Sequence, residues 1–327
     1  MGRWLAMLLV ALTALAGLGA ARLRPAEPEG PVRMALPLSD EQKLRPIHLA
    51  VRPDGGAFAA WHLTGDGLGL SVWQEGDSSS VHLSGAALGE VAWSPEGVFF
   101  AEFDAPVGGR PQILHYRWGE AEPQVVVKGE VIRGKPRSLA WRSPGWLYFA
   151  DDQGLKAAQP GTPWRVVRLP GPPIPDTLQY GSFAPGSLRY IGLKGGSLVL
   201  AEAGQEEVVP LAENWGGGLT RAAWSQDGSR VALALGHAEL GGKVLLVELP
   251  RRGAPRLVAE LAGGVPVVLG ERLLFLDPKG RVAAWHNGEV TVVAEGPAVS
   301  LGGGPAQGPV YVVRRSPEPM VIRHPLR

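Results

Sequence analysis

The chain alternates short apolar runs with polar turns, and one phrase recurs along it. Two or three apolar residues lead to an aromatic, then a Pro- or Asp-Gly turn, then a second apolar run. The phrase reads LAVRPDGGAFAAW at Leu49–Trp61, VAWSPEGVFFAEF at Val91–Phe103 and LAWRSPGWLYFA at Leu139–Ala150. It returns as GSFAPGSLRYIGL at Gly181–Leu193 and AAWSQDGSRVALAL at Ala222–Leu235, with worn copies at Val267–Leu276 and Val299–Val313. If Val51, Trp93, Trp141, Phe183, Trp224, Leu269 and Leu301 are equivalent, the spacings are 42, 48, 42, 41, 45 and 32 residues. A period of about 40–45 residues with hairpin turns inside each unit is that of propeller blades.

Each unit reads as four short strands. In the fifth, Leu219–Trp224 is the inner strand, Arg230–Leu235 the second, Lys243–Leu249 the third and Arg256–Leu261 the outer one. Alternation and Asp-Gly turn chemistry favour strand over helix, and no sustained helical period appears after residue 35. The fold class is all-β: a single seven-bladed β-propeller over residues 33–327, with six blades plus an irregular end as the alternative. The last unit holds only three strands, ending at Pro319–Arg323. Arg33–Leu38 (RMALPL) is apolar enough to be the missing outer strand. Closing a blade with strands from both termini removes the open edges of the ring.

Residues 1–21 (MGRWLAMLLVALTALAGLGAA) have the layout of a secretory signal peptide: Arg3, an uncharged apolar run over Trp4–Leu18, then small residues. An uncleaved anchor is the alternative, although the run is short for a membrane span. Residues 22–32 form a Pro- and charge-rich tether. The propeller is therefore expected outside the cytoplasmic membrane, periplasmic or secreted, with anchoring by residues 1–21 as the second form.

Composition removes whole classes of function. The 32 basic and 31 acidic residues leave a net charge of +1, with no basic stripe of the kind a nucleic-acid partner requires. The chain has no cysteine, so disulfides, thiol catalysis, Cys-ligated zinc and iron–sulfur clusters are excluded. Plentiful Pro and Arg with two asparagines fit a heat-adapted source.

The stretches AWSPEG at Ala92–Gly97 and AWSQDG at Ala223–Gly228 resemble the WD-repeat-like unit of TolB-type periplasmic propellers. That resemblance implies an exported propeller with a binding role. The TolB family carries an N-terminal α/β domain and six blades, whereas this chain has no room for the domain and shows seven units.

No nucleophile elbow, zinc helix, phosphate-binding loop or EF-hand loop is present. No pair among the seven histidines has ligand spacing, so structural or surface roles are expected, with no cofactor and no metal. Candidate binding residues come from the repeat alignment. Three positions before the repeated residue stand His48, Glu90, Ser138, Tyr180, Arg221, Pro266 and Ala298. These should ring the funnel mouth, where His48, Glu90, Tyr180 and Arg221 are suited to polar contacts. Trp215 in NWGGG is a further contact candidate. Asp66, Asp104, Asp151, Asp152 and Asp277 come after second strands and read first as turn residues.

The expected function is a non-enzymatic protein–protein or cell-envelope interaction module, monomeric, with a protein or envelope partner. The alternative is a lactone- or sugar-type hydrolase or lyase in the funnel, with Glu90 as base and Arg221 or Tyr180 holding an anion.

Overall fold

The computed structural model describes residues 32–35, 46–64, 67–75, 77, 79–105, 108–136, 138–142, 144–171, 176–177, 183–185, 187–194, 197–203, 209–212, 219–236, 242–250, 254–303, 310–314 and 320–324. Among them, 28 strands form seven four-stranded antiparallel sheets. One 3₁₀ turn at Gly129–Val131 is the sole helical element of the described residues. Seven blades replace the six-bladed alternative, and both worn copies form complete blades. Among the described residues, no helix is long and apolar enough to cross a membrane.

Strand numbering runs along the chain. Blade 1 comprises β2 (Pro46–Val51), β3 (Ala57–Leu63), β4 (Leu68–Gln74) and β5 (Val81–Ser84). Blade 2 comprises β6 (Ala87–Ser94), β7 (Gly97–Phe103), β8 (Pro111–Arg117) and β9 (Gln124–Val127). Blade 3 runs from β10 (Ser138–Arg142) through β11 (Trp146–Asp151) and β12 (Gly154–Gln159) to β13 (Arg165–Arg168). Blade 4 begins with the two-residue β14 (Asp176–Thr177), then β15 (Arg189–Lys194), β16 (Ser197–Glu202) and β17 (Val209–Ala212).

Blade 5 has β18 (Leu219–Trp224), β19 (Arg230–Leu235), β20 (Lys243–Glu248) and β21 (Arg256–Ala262), within one residue of the pattern in the sequence. Blade 6 has β22 (Gly264–Leu269), β23 (Arg272–Leu276), β24 (Val282–His286) and β25 (Glu289–Ala294). Blade 7 has β26 (Ala298–Gly303), β27 (Val310–Arg314) and β28 (Met320–His324). Its outer strand is β1 (Val32–Ala35), which pairs antiparallel with β28 from Val32–Arg323 to Ala35–Met320. The ring thus closes through an N-terminal strand; residues 36–38 of the expected segment lie outside the described residues.

A blade is too thin to bury its own apolar faces, so the core lies between blades. Among the described residues, seven buried clusters occur, each made by two neighbouring blades. Across the closure, Phe58 of blade 1 meets Tyr311 of blade 7 edge-on, with ring centroids 5.0 Å apart, a favoured aromatic geometry. Trp61, Trp73 and Trp285 are buried, and the repeated Trp93, Trp141 and Trp224 pack half-buried against these clusters. Glycine matters where inner strands crowd toward the axis: a Cβ on Gly302 would stand 2.6 Å from Cγ2 of Val51 on the next blade.

Candidate functional site

The inner strands are not regular. The pairing of inner with second strand shifts register between Pro46 and His48, Leu88 and Ala92, Leu219 and Arg221, Gly264 and Val267, and Ala298 and Ser300. The five shifts fall at the same level of the ring. Such irregularities re-aim side chains at barrel and propeller rims. Two of them contain a residue in the left-handed region, Gly89 at φ 64° and Val265 at φ 51°. A β-branched residue there is strained, and Val265 is followed directly by Pro266 in the channel wall.

The channel holds a cavity of about 370 Å³. His48, Arg221 and Pro266, all three positions before the repeated residue, line it together. Below them stand Val51, Phe183, Trp224 and Leu269, four of the repeated positions themselves. Two residues further on come Pro53, Pro185 and Gln226, also in the wall. Pro53 and Gln226 are exposed and lie in the turns after β2 and β18. The described rim is therefore at the ends of the inner strands, opposite the face from which those strands enter.

In blade 7 the wall is formed by Gly302 and Gly303, while Leu301 is fully buried in the cluster between blades 6 and 7. The equivalence drawn at Leu301 is out of step with the others, because Gly-Gly carried no apolar mark to align.

His48 and Arg221 are the two ionisable side chains among the described residues of the cavity wall. His48 is buried and lies against the Trp61 ring at a centroid distance of 4.8 Å. Burial, and secondarily the Arg221 guanidinium, hold its pKa well below the usual histidine range, so the ring is neutral at pH 7. Arg221 donates from Nη2 to the carbonyl oxygen of Leu301 at 3.1 Å, linking blade 5 to blade 7 past blade 6. A neutral imidazole and a tethered guanidinium in a largely apolar channel can orient a polar group of a bound chain while the walls hold its apolar parts.

The remaining candidates are placed only in part. Glu90 lies within β6, at the register shift of blade 2; its side chain is outside the described residues, as are Tyr180 and Trp215. Asp104 and Asp277 serve their own loops. Asp104 accepts from the Arg110 amide at 2.6 Å, and Asp277 accepts from the Lys279 and Arg281 amides at 2.9 Å each. Asp151 is buried, accepting from the Arg133 and Gln153 amides and from Lys156 Nζ at 2.5 Å. Asp66 is outside the described residues.

The sequence reading missed Pro53, Pro185 and Gln226. Their signal was available: the alignment that located His48 and Arg221 three residues before the repeated position locates these two residues after it.

No family model matches the chain, and no curated protein matches it. Solved structures do. YCF48 from Cyanidioschyzon merolae aligns with a TM-score of 0.61 at 10% identity, covering 90% of this chain and 98% of that one. A structure of YCF48 bound to D1 peptide gives a TM-score of 0.58 at 11% identity, covering 92% and 97%. The WD40 β-propeller domain of Doa1 gives 0.58 at 13% identity, covering 90% and 96%. At these identities the likeness is one of fold: the chain is a seven-bladed β-propeller, similar in fold to these YCF48 and WD40 structures.

Proposed function

We propose that the protein is an exported binding propeller that holds an extended segment of a protein or cell-envelope partner at its central cavity. The observation that carries the reading is the convergence of His48 and Arg221, from blades 1 and 5, on one apolar-walled cavity with a described rim at Pro53 and Gln226. A propeller of the same fold, YCF48, has been solved with a peptide bound, which supports peptide capture as work this architecture can do. The leader-like residues 1–21 and the TolB-type turn sequences support an extracytoplasmic setting, free or anchored, with the propeller acting as a monomer.

The test is capture from cross-linked envelope extract with three forms of the protein: unchanged, Arg221→Ala, and Val290→Ser/Val292→Ser on the outer strand of blade 6. The reading expects a discrete partner that Arg221→Ala loses and the outer-strand variant keeps. A partner kept by Arg221→Ala and lost by the outer-strand variant would move the binding surface away from the cavity.

A further inference from the structure

Outside the cavity wall, three strands of blade 1 bring two histidines together. β3 carries His62, β4 carries Ser71 and β5 carries His82. His62 pairs across the sheet with Gly69, and Ser71 pairs with His82. Gly69 makes the arrangement possible: a Cβ there would stand 2.2 Å from Cε1 of His62, so the imidazole lies directly on the bare backbone of β4. In that position His62 Nε2 comes to 3.2 Å from Ser71 Oγ, and His82 Nδ1 comes to 3.4 Å from the same oxygen. The two rings are 5.6 Å apart, centroid to centroid, and tilted by 43°.

We propose that His62 and His82 form a bidentate site for a divalent transition-metal ion, zinc or copper, which fastens the outer strand β5 to blade 1. Two ring nitrogens from two strands already converge on one point, and imidazole is the ligand these ions favour. Metal–nitrogen bonds of about 2.0–2.1 Å at a tetrahedral angle require the nitrogens to close to about 3.3 Å of each other. His62 is held by burial and by Gly69, so His82 is the ring that turns inward as the Ser71 hydroxyl rotates aside. His82 is exposed and sits on a strand of four residues, which leaves room for that turn and for water in the remaining coordination positions. The β4–β5 ladder is also irregular at this point, shifting register between Leu70 and Ser71, so a metal clamp would act beside that irregularity.

The experiment is calorimetric titration of the untagged full chain with zinc and, separately, with copper, repeated on His82→Ala, His62→Gln and His286→Ala. One ion should bind per chain, tenfold or more weaker in His82→Ala and His62→Gln, and unchanged in His286→Ala. Copper bound to the unchanged protein should show nitrogen hyperfine coupling from two imidazoles. His82 is exposed, so its variant is expected to fold whatever the fate of His62→Gln. Absence of saturable binding, or binding at full strength in folded His82→Ala, overturns the site and leaves a hydrogen-bonded His–Ser–His network. Neither result bears on partner capture at the channel.

Discussion

Lys156 and Asp151 form a buried ion pair within blade 3, with Nζ 2.5 Å from Oδ2 and side chains 6% and 0% exposed. The ammonium also donates to the Val131 carbonyl oxygen at 2.8 Å and to Gln153 Oε1 at 3.1 Å. Asp151 holds the Arg133 amide. One pair therefore fastens the loop between blades 2 and 3 to the end of β11, which explains why a turn aspartate is buried there.

Lys156→Met leaves a buried carboxylate without its cation and should destabilise the fold by about 3–5 kcal/mol. The double variant Lys156→Met/Asp151→Leu removes both charges, and should recover part of that loss. Urea unfolding of the three proteins measures the difference. A single variant as stable as the unchanged protein would show that the pair does not organise this loop.

Deletion of residues 32–35 removes the outer strand of blade 7 and should lower the midpoint of the entire thermal transition, because the ring is closed by β1 pairing with β28. Calorimetry distinguishes this from local fraying. An unchanged transition would mean that the pairing adds nothing to closure.

Histidines give the fold an acid limit. Burial chiefly, and Arg117 next, pull His115 down to about 4 against the opposing effect of Glu120. The ring stacks on Phe99 at 3.9 Å and lies 3.2 Å from Ser94 Oγ. His48 is lowered in the same direction. In the unfolded chain both take up a proton near pH 6.5, earlier than in the fold, so stability is full above that pH and falls as pH drops toward about 4. The slope is at most about 1.4 kcal/mol per pH unit for each group. His115→Gln should flatten the dependence of unfolding free energy on pH between about 6.5 and 4. An unaltered slope would remove His115 from the acid response.

The repeat was legible because a blade repeats its local chemistry. Trp93, Trp141 and Trp224 mark inner-strand ends, and Asp-Gly or Pro-Gly turns mark the hairpins into the second strands. Strand positions in blade 5 could therefore be read almost to the residue. Blade 4 departs from this: Phe183 lies beyond the two-residue β14, in an isolated bridge to Tyr190. The register shifts beside His48 and Arg221 were not legible, since a bulge is a property of pairing rather than of one strand's pattern. The His62–His82 juxtaposition was hidden for a similar reason. The two residues are 20 apart in the chain and meet only because β3, β4 and β5 fold side by side.

The measurement that tests the cavity most directly is site-specific photo-cross-linking in the native envelope, with the probe placed at Gln226 on the cavity rim or at Val290 on the outer edge of blade 6. Both positions are exposed. The account predicts a discrete protein adduct from Gln226, diminished by Arg221→Ala, and none from Val290. Adducts confined to Val290 would contradict it.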